Sequence, residues 1–187
     1  MTNLVFFLEG RSEKELLQVL MPRILGNHGH VKFNYITFQG KKDLEKKFMC
    51  RLRGWLNPDS AFVILIDQDQ DDCRELKSKL HDKCAEIDKS PVLIRVACCE
   101  LESWYFGDLE AVEKALELKN LTAYRNKKKY REPDSILKPS EELRKITREA
   151  YQKISGSRDI ARHLSISTNT SASFHAFVKG IKKICEL

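Results

Sequence analysis

Along the first 120 residues, hydrophobic and polar positions alternate between two repeats. Short apolar runs at Asn3–Leu8 (NLVFFL), Val31–Phe38, Ala61–Ile66 (AFVILI) and Val92–Cys99 (VLIRVACC) have the length and the β-branched or aromatic content of strands. Between them apolar residues recur at helical spacing: Leu16, Leu17, Leu20 and Ile24, then Leu44, Phe48, Leu52 and Trp55, then Leu76, Leu80 and Cys84. Ser12-x-x-Glu15 predicts a capping box for the first helix and Gly26-Asn27 its end, while Ser90-Pro91 breaks the third. Asp108 predicts the cap of a further helix through Val112, Ala115 and Leu116. Strand and helix alternating in this way imply βαβ units, hence an α/β fold whose mainly parallel sheet of about four strands is flanked by helices.

After residue 120 the strand signal stops. Asn126-Lys127-Lys128-Lys129-Tyr130-Arg131 is basic, and Pro133 and Pro139 mark loop. Ser140 predicts the cap of a helix carrying Leu143, Ile146, Ala150 and Ile154, followed by a turn at Ser155-Gly156-Ser157 and a short helix over Arg158–Leu164. A polar loop over Ser165–Ser173 precedes a closing helix with one apolar stripe of Phe174, Phe177, Val178, Ile181 and Ile184. These stripes make residues 121–187 a helical C-terminal extension packed on the sheet of an α/β domain at residues 1–120.

Composition narrows the classes. With 33 Lys+Arg against 27 Asp+Glu in 187 residues the net charge is +6, which permits a polyanionic partner without requiring one. Hydrophobic residues at 42% and charged residues at 32% exclude global disorder, and the apolar runs fall far short of the ~18–20 residues needed to cross a bilayer. Glu9, Glu13 and Glu15 follow the first apolar run too closely for a signal peptide. Six cysteines without a C-x-x-C pair speak against a disulfide framework or a structural zinc site, and are read as reduced thiols of a cytoplasmic protein.

The candidate chemistry lies in the carboxylates. Glu9 follows the first strand, Asp67 and Asp69 the third, and Glu100 and Glu102 the fourth. The carboxyl ends of parallel strands share one rim, where ligands of open α/β sheets bind. In an extended segment Asp67 and Asp69 point the same way, and Glu9 joins them if the first and third strands are neighbours. Carboxylates so gathered repel unless a hard cation such as Mg²⁺ or Mn²⁺ lies between them. Each residue also has a plainer reading: Glu9 as a charge at a helix dipole, Asp67 and Asp69 as turn residues, Asp71 and Asp72 as helix N-caps. An EF-hand is excluded, because its sixth and twelfth loop positions are Asp72 and Ser78 here.

Four short motifs in order, Glu9–Glu13 (EGRSE), Asp67-Gln68-Asp69 leading to Cys73, Glu100-Leu101-Glu102-Ser103-Trp104, and Ser171-Ala172-Ser173-Phe174, resemble a small stand-alone Toprim-like family of bacterial proteins. The first two motifs also resemble the Toprim pattern of topoisomerases, primases and overcoming-lysogenization-defect nucleases. The resemblance implies a Toprim-like Rossmannoid fold and a metal-dependent phosphoryl-transfer site, most often a nuclease. It also implies an association with ABC-type ATPases and with phage defence. A lysine near the site is part of that pattern, and Lys127, Lys128 and Lys129 qualify only by being basic.

Together these readings give an expected mechanism of Mg²⁺- or Mn²⁺-dependent phosphodiester hydrolysis. Asp67 and Asp69 would hold a metal, Glu9 would act as ligand or general base, and Glu100 or Glu102, the second favoured, would complete a second metal position. Lys127, Lys128, Lys129 and Arg131 are the candidate nucleic-acid contacts, with basic residues between Lys41 and Arg53 as a second patch or merely a solvated face. Tyr124, Tyr130 and Trp55 are possible stacking platforms, and Trp104 a core or lid residue. Two other classes stay open: a non-catalytic or conditionally active subunit of an ATPase complex, and an enzyme acting on a small nucleotide. His28 and His30 read as loop, and His163 and His175 as isolated histidines.

Overall fold

A computed structural model describes residues 2–26, 31–87 and 92–185. His28, His30 and the Ser90-Pro91 break lie outside the described residues. Four strands, β1 (Thr2–Leu8), β2 (Val31–Thr37), β3 (Ser60–Asp67) and β4 (Val92–Ala97), form one parallel sheet in the order β2-β1-β3-β4. The α/β class and the four-stranded parallel sheet are those the sequence predicts. β1 and β3 are the two central strands, buried on both faces, which is why they read as unbroken apolar runs. β2 lies at an edge and keeps Lys32 and Asn34 among its apolar residues.

Helix α1 (Arg11–Leu25) covers one face of the sheet, with Leu16, Leu17 and Leu20 against Leu4, Phe6, Leu8, Val63 and Leu65. Helices α2 (Lys41–Arg53) and α3 (Cys73–Ala85) cover the other, with Leu44, Phe48, Leu76 and Leu80 against Val5, Phe7, Phe62, Ile64 and Ile66. The chain thus moves outward from β1 to β2 by one face and returns to β3 and β4 by the other. The strand order reverses between β1 and β3, and that switch point opens a crevice at the carboxyl ends of the two strands.

Beyond β4 come α4 (Ser103–Phe106), α5 (Leu109–Ala115), three 3-10 turns (Thr122–Asn126, Lys128–Tyr130, Pro133–Ser135), α6 (Pro139–Ile146), α7 (Lys153–Ala161) and α8 (Ala172–Ile184). Tyr130, Ile136, Leu143, Tyr151, Ile160, Phe174 and Phe177 belong to the same buried cluster as Leu4 and Phe6. α7 packs on α1, and α8 on β4, where Arg95 Nε donates to the Ala176 carbonyl (2.9 Å).

Several local expectations are corrected. The single helix expected from Ser140 to Ile154 is two helices. Thr147 Oγ1 donates back to Leu143 O (2.8 Å) and Arg144 O (3.1 Å), and Arg148 and Glu149 take left-handed φ of 52° and 65°, which stops α6. The turn expected at Ser155-Gly156-Ser157 lies inside α7. Gly156 is there because the Tyr151 ring lies on it: a Cβ would meet Tyr151 Cδ2 at 2.6 Å. The capping box is not formed, since α1 begins after Gly10 with no side-chain cap and Ser12 Oγ bonds Glu13 instead. Asp72 and Asp108 do cap α3 and α5, each accepting from backbone N–H groups of the first turn.

Candidate active site

Glu9 is the first residue past β1, Asp67 is the last of β3, and the two strands pair side by side. Glu9 Oε2 accepts the backbone N–H of Asp67 at 3.1 Å, joining the two strand ends at the switch point. Partial burial pushes the Glu9 carboxyl above its ordinary range, the Asp67 amide acts against that, and Glu13 and Asp69 push it further. Asp67 is only 5% exposed. Burial holds its carboxyl well above the usual Asp range, Glu13, Glu9 and Glu102 add to the shift, and Lys153 opposes it.

Glu13 and Glu102 complete this buried half of the rim. Glu13, in the first turn of α1, is 3% exposed and accepts Ser12 Oγ at 3.2 Å. Glu102, at the N-terminus of α4, is fully buried. Its Oε1 accepts the Tyr151 hydroxyl (2.9 Å) and lies 3.9 Å from Lys153 Nζ, while Oε2 is buried with no hydrogen-bond partner, as is Tyr105 Oη. Burial raises the Glu102 carboxyl, and Lys153 and the Tyr151 bond moderate that.

The exposed half of the rim is built differently. Asp69 has φ 54°, so the backbone over 67–69 is not the extended segment the sequence predicts, and the two aspartates do not share one environment. Asp69 Oδ2 lies 3.3 Å from Lys41 Nζ, and Asp71 Oδ2 lies 2.7 Å from the same ammonium. Lys41 also donates to the carbonyls of Asp67 (2.9 Å) and Gln68 (2.7 Å). Asp71 is therefore an ion-pair partner and not a helix cap. Cys99, just past β4 and likewise left-handed at φ 59°, accepts the Asp69 N–H on its carbonyl at 2.7 Å. Glu100 Oε2 accepts the Ser140 N–H (2.7 Å) in the first turn of α6, so the cap of that helix comes from Glu100 and not from Ser140.

The remaining candidates make other contacts. Lys129 pairs with Glu142 (2.6 Å), Lys127 lies over the Tyr124 ring (4.1 Å), Arg131 reaches the Asn126 carbonyl (3.5 Å) and Lys128 is exposed. Tyr130 is no stacking platform: its ring is buried against Phe106 (5.3 Å, 5° between planes), and its hydroxyl donates to Glu142. Trp55 Nε1 donates to Ser60 Oγ and its ring packs on Phe62. Trp104 is a core residue, fully buried, with Nε1 donating to Ser173 Oγ at 2.9 Å. Ser171 and Ser173 both bond Asp134, which ties the start of α8 to Trp104 beside Glu102. The Ser171–Phe174 motif is thus a structural knot. His163 is exposed, and a His175 ring nitrogen bonds the Asn169 carbonyl.

Reading the sequence missed Glu13, Lys41, Tyr151 and Lys153 as members of this site. Glu13 stood inside a quoted motif and could have been found from it. Lys153 is 51 positions from Glu102 with no local mark, and only folding of the tail brings them together. The donors are hard oxygens, one of them an orphaned buried carboxylate oxygen, which suits Mg²⁺ or Mn²⁺. Among the described residues, as the side chains stand, no three His, Cys, Asp or Glu groups surround a single point closely enough to hold an ion.

The profile of a domain of unknown function, DUF4276, matches residues 8–182, and the chain belongs to that family. No curated protein matches the chain. Among solved structures it is similar in fold to the C-terminal region of the Burkholderia pseudomallei OLD protein, with a TM-score of 0.54, 16% identity and 97% of each chain covered. The similarity in fold is thus to a protein of one of the groups that the first two motifs resemble. No helix among the described residues is long and apolar enough to cross a membrane.

Proposed function

We propose that this member of the DUF4276 family hydrolyses phosphodiester bonds of nucleic acid, using Mg²⁺ or Mn²⁺ at the β1/β3 switch point. The observation that carries the reading is the pairing of Glu9 with the end of β3, beside the buried Asp67, Glu13 and Glu102, where burial raises the carboxyls of Asp67 and Glu102. Asp67, Asp69 and Glu9 would hold the ion, with Glu102 in preference to Glu100 at a second position, because Glu100 is engaged at α6. When bound, the ion would act as a Lewis acid toward a phosphoryl oxygen and offset developing charge.

The chain's own groups would do the rest. Glu9, its carboxyl raised by partial burial, would act as general base toward an attacking water in the alternative to binding the ion. Lys153, held next to Glu102, supplies a fixed positive charge beside the reacting phosphate. Tyr151 orients the Glu102 carboxyl through Oε1 and leaves Oε2 open. The basic run at Lys127, Lys128, Lys129 and Arg131 is proposed to take the flanking backbone. That role predicts binding that weakens steeply with salt.

Purified wild-type, Glu9→Gln and Asp67→Asn proteins should be compared on DNA, RNA and free nucleotides with Mg²⁺ or Mn²⁺. We expect polymer cleavage by the wild type and a loss of about a hundredfold or more in each variant. Cleavage by the variants at the wild-type rate would end the proposal, and activity confined to free nucleotides would redirect it to a small-nucleotide enzyme.

A second reading, a conditionally active subunit switched on by a partner such as an ABC-type ATPase, is favoured by one observation. Lys41 already pairs Asp69, so the loop after β3 is engaged before any ion arrives. That reading predicts slow cleavage by the isolated chain and a stimulated rate on adding the partner.

A further inference from the structure

We infer that Lys41 is a tethered counter-cation for the acidic loop after β3, and that its ammonium competes with a free dication for the Asp69 carboxylate. The inference rests on the metal-site reading proposed above. An ammonium has three donors and no acceptor, and here it faces four oxygens, Asp67 O, Gln68 O, Asp69 Oδ2 and Asp71 Oδ2, all within 3.3 Å. Hard dications take the same kind of oxygen shell of carbonyls and carboxylates. The lysine side chain is only 14% exposed, against 45% and 58% for Asp69 and Asp71.

Its position is fixed from both ends. Gly40, at φ 89°, makes the turn into α2, and its N–H bonds the Glu9 carbonyl (3.0 Å), so Lys41 is mounted on the exit of β1 and reaches across to the exit of β3. The loop does not need the lysine to keep its shape. Gln68 N–H bonds Ala97 O (2.9 Å), Asp69 N–H bonds Cys99 O (2.7 Å) and Asp71 N–H bonds Gln68 O (3.1 Å). The Gln68 side chain adds bonds to Asp71 O and Cys99 N–H. What Lys41 contributes beyond these is one positive charge at the point where a dication would be attracted. Without it, Asp69 and Asp71 have no ion-pair partner among the described residues.

The sign of the expected effect separates this from a structural role. Damage to the loop would weaken ion binding, whereas loss of a competing charge strengthens it. Mn²⁺ binding to the full chain, followed by calorimetric titration and by the electron paramagnetic resonance signal of free Mn²⁺, should be compared for wild type, Lys41→Met and Lys41→Arg. Lys41→Met should bind Mn²⁺ at about tenfold lower concentration, the order expected when one unit charge near a dication is removed in a water-like dielectric. Its metal-free melting temperature should fall, and Lys41→Arg should keep the wild-type affinity. Unchanged or weaker binding by Lys41→Met, with the wild type binding normally, overturns this inference and leaves the metal-site reading intact. Absence of Mn²⁺ binding by wild type and variant alike overturns both. Should Lys41→Met fail to fold, Lys41→Gln, neutral and still able to donate to the two carbonyls, carries the same expectation and the same refutation.

Discussion

The acidic rim has two halves that solve one electrostatic problem in opposite ways. Asp67, Glu13 and Glu102 are withdrawn from water; Glu13 has the Ser12 hydroxyl, and Glu102 has one tyrosine and one lysine at 3.9 Å. Asp69 and Asp71 stand in water, paired directly to Lys41. On the buried side, desolvation dominates and the carboxyls of Asp67 and Glu102 are pushed up. On the exposed side, the Lys41 bond holds the Asp71 carboxyl below its usual range. Identical side chains a few positions apart therefore differ in how strongly they want a positive partner, and the buried half wants one more.

The contrast is sharpest at the two glutamates after β4. Glu102→Gln, which removes the charge beside the orphaned oxygen, should lower cleavage about a hundredfold. Glu100→Gln keeps an oxygen for the Ser140 N–H and should change the rate by less than about threefold, since its role is that of a helix cap. Equal losses in both variants would erase the distinction between the halves.

A second test strains the buried half through its support. Gly156→Ala puts a Cβ 2.6 Å from Tyr151 Cδ2 inside a packed core, so the ring must shift and carry its hydroxyl away from Glu102. Chemical denaturation should show a loss of about 1–3 kcal/mol, accompanied by slower cleavage. A rate unchanged despite the loss would mean that Tyr151 does not orient Glu102.

The gentlest test is of pH. Because the folded protein holds Asp67 protonated more readily than the unfolded chain does, folding takes up protons and stability falls as pH rises from the ordinary Asp range through the folded pKa. Asp67→Asn removes that penalty. In metal-free protein it should raise the melting temperature at pH 7–8 by a few degrees, with the gain vanishing below about pH 4. A variant less stable than wild type across the whole range would show that the buried carboxylate is satisfied as it stands.

How far each feature could be read from the residues follows from how local its cause is. The four strands were legible because burial on both faces writes an apolar run into a few consecutive positions, as in Ala61–Ile66. Asp72 and Asp108 as caps were legible because a cap acts within three residues. The break between α6 and α7 was hidden, because Leu143, Ile146, Ala150 and Ile154 keep helical spacing straight across it, while the cause lies in a threonine hydroxyl and two left-handed residues. Positions of the acids along the chain were legible from the ends of strands. Their partners Lys41, Tyr151 and Lys153 were not, since each arrives from another element and no spacing rule ties it to the acid it meets.

The reach of Tyr151 and Lys153 back to Glu102 has a practical bearing on anyone who would borrow the sheet. A fragment cut near residue 120 keeps every acid of the crevice but discards the tyrosine that bonds Glu102 and the one cation paired with it among the described residues. Grafting such a fragment into another scaffold would transplant a liability, several unquenched anions in an opened cleft, so the helical tail belongs to any portable version of this centre.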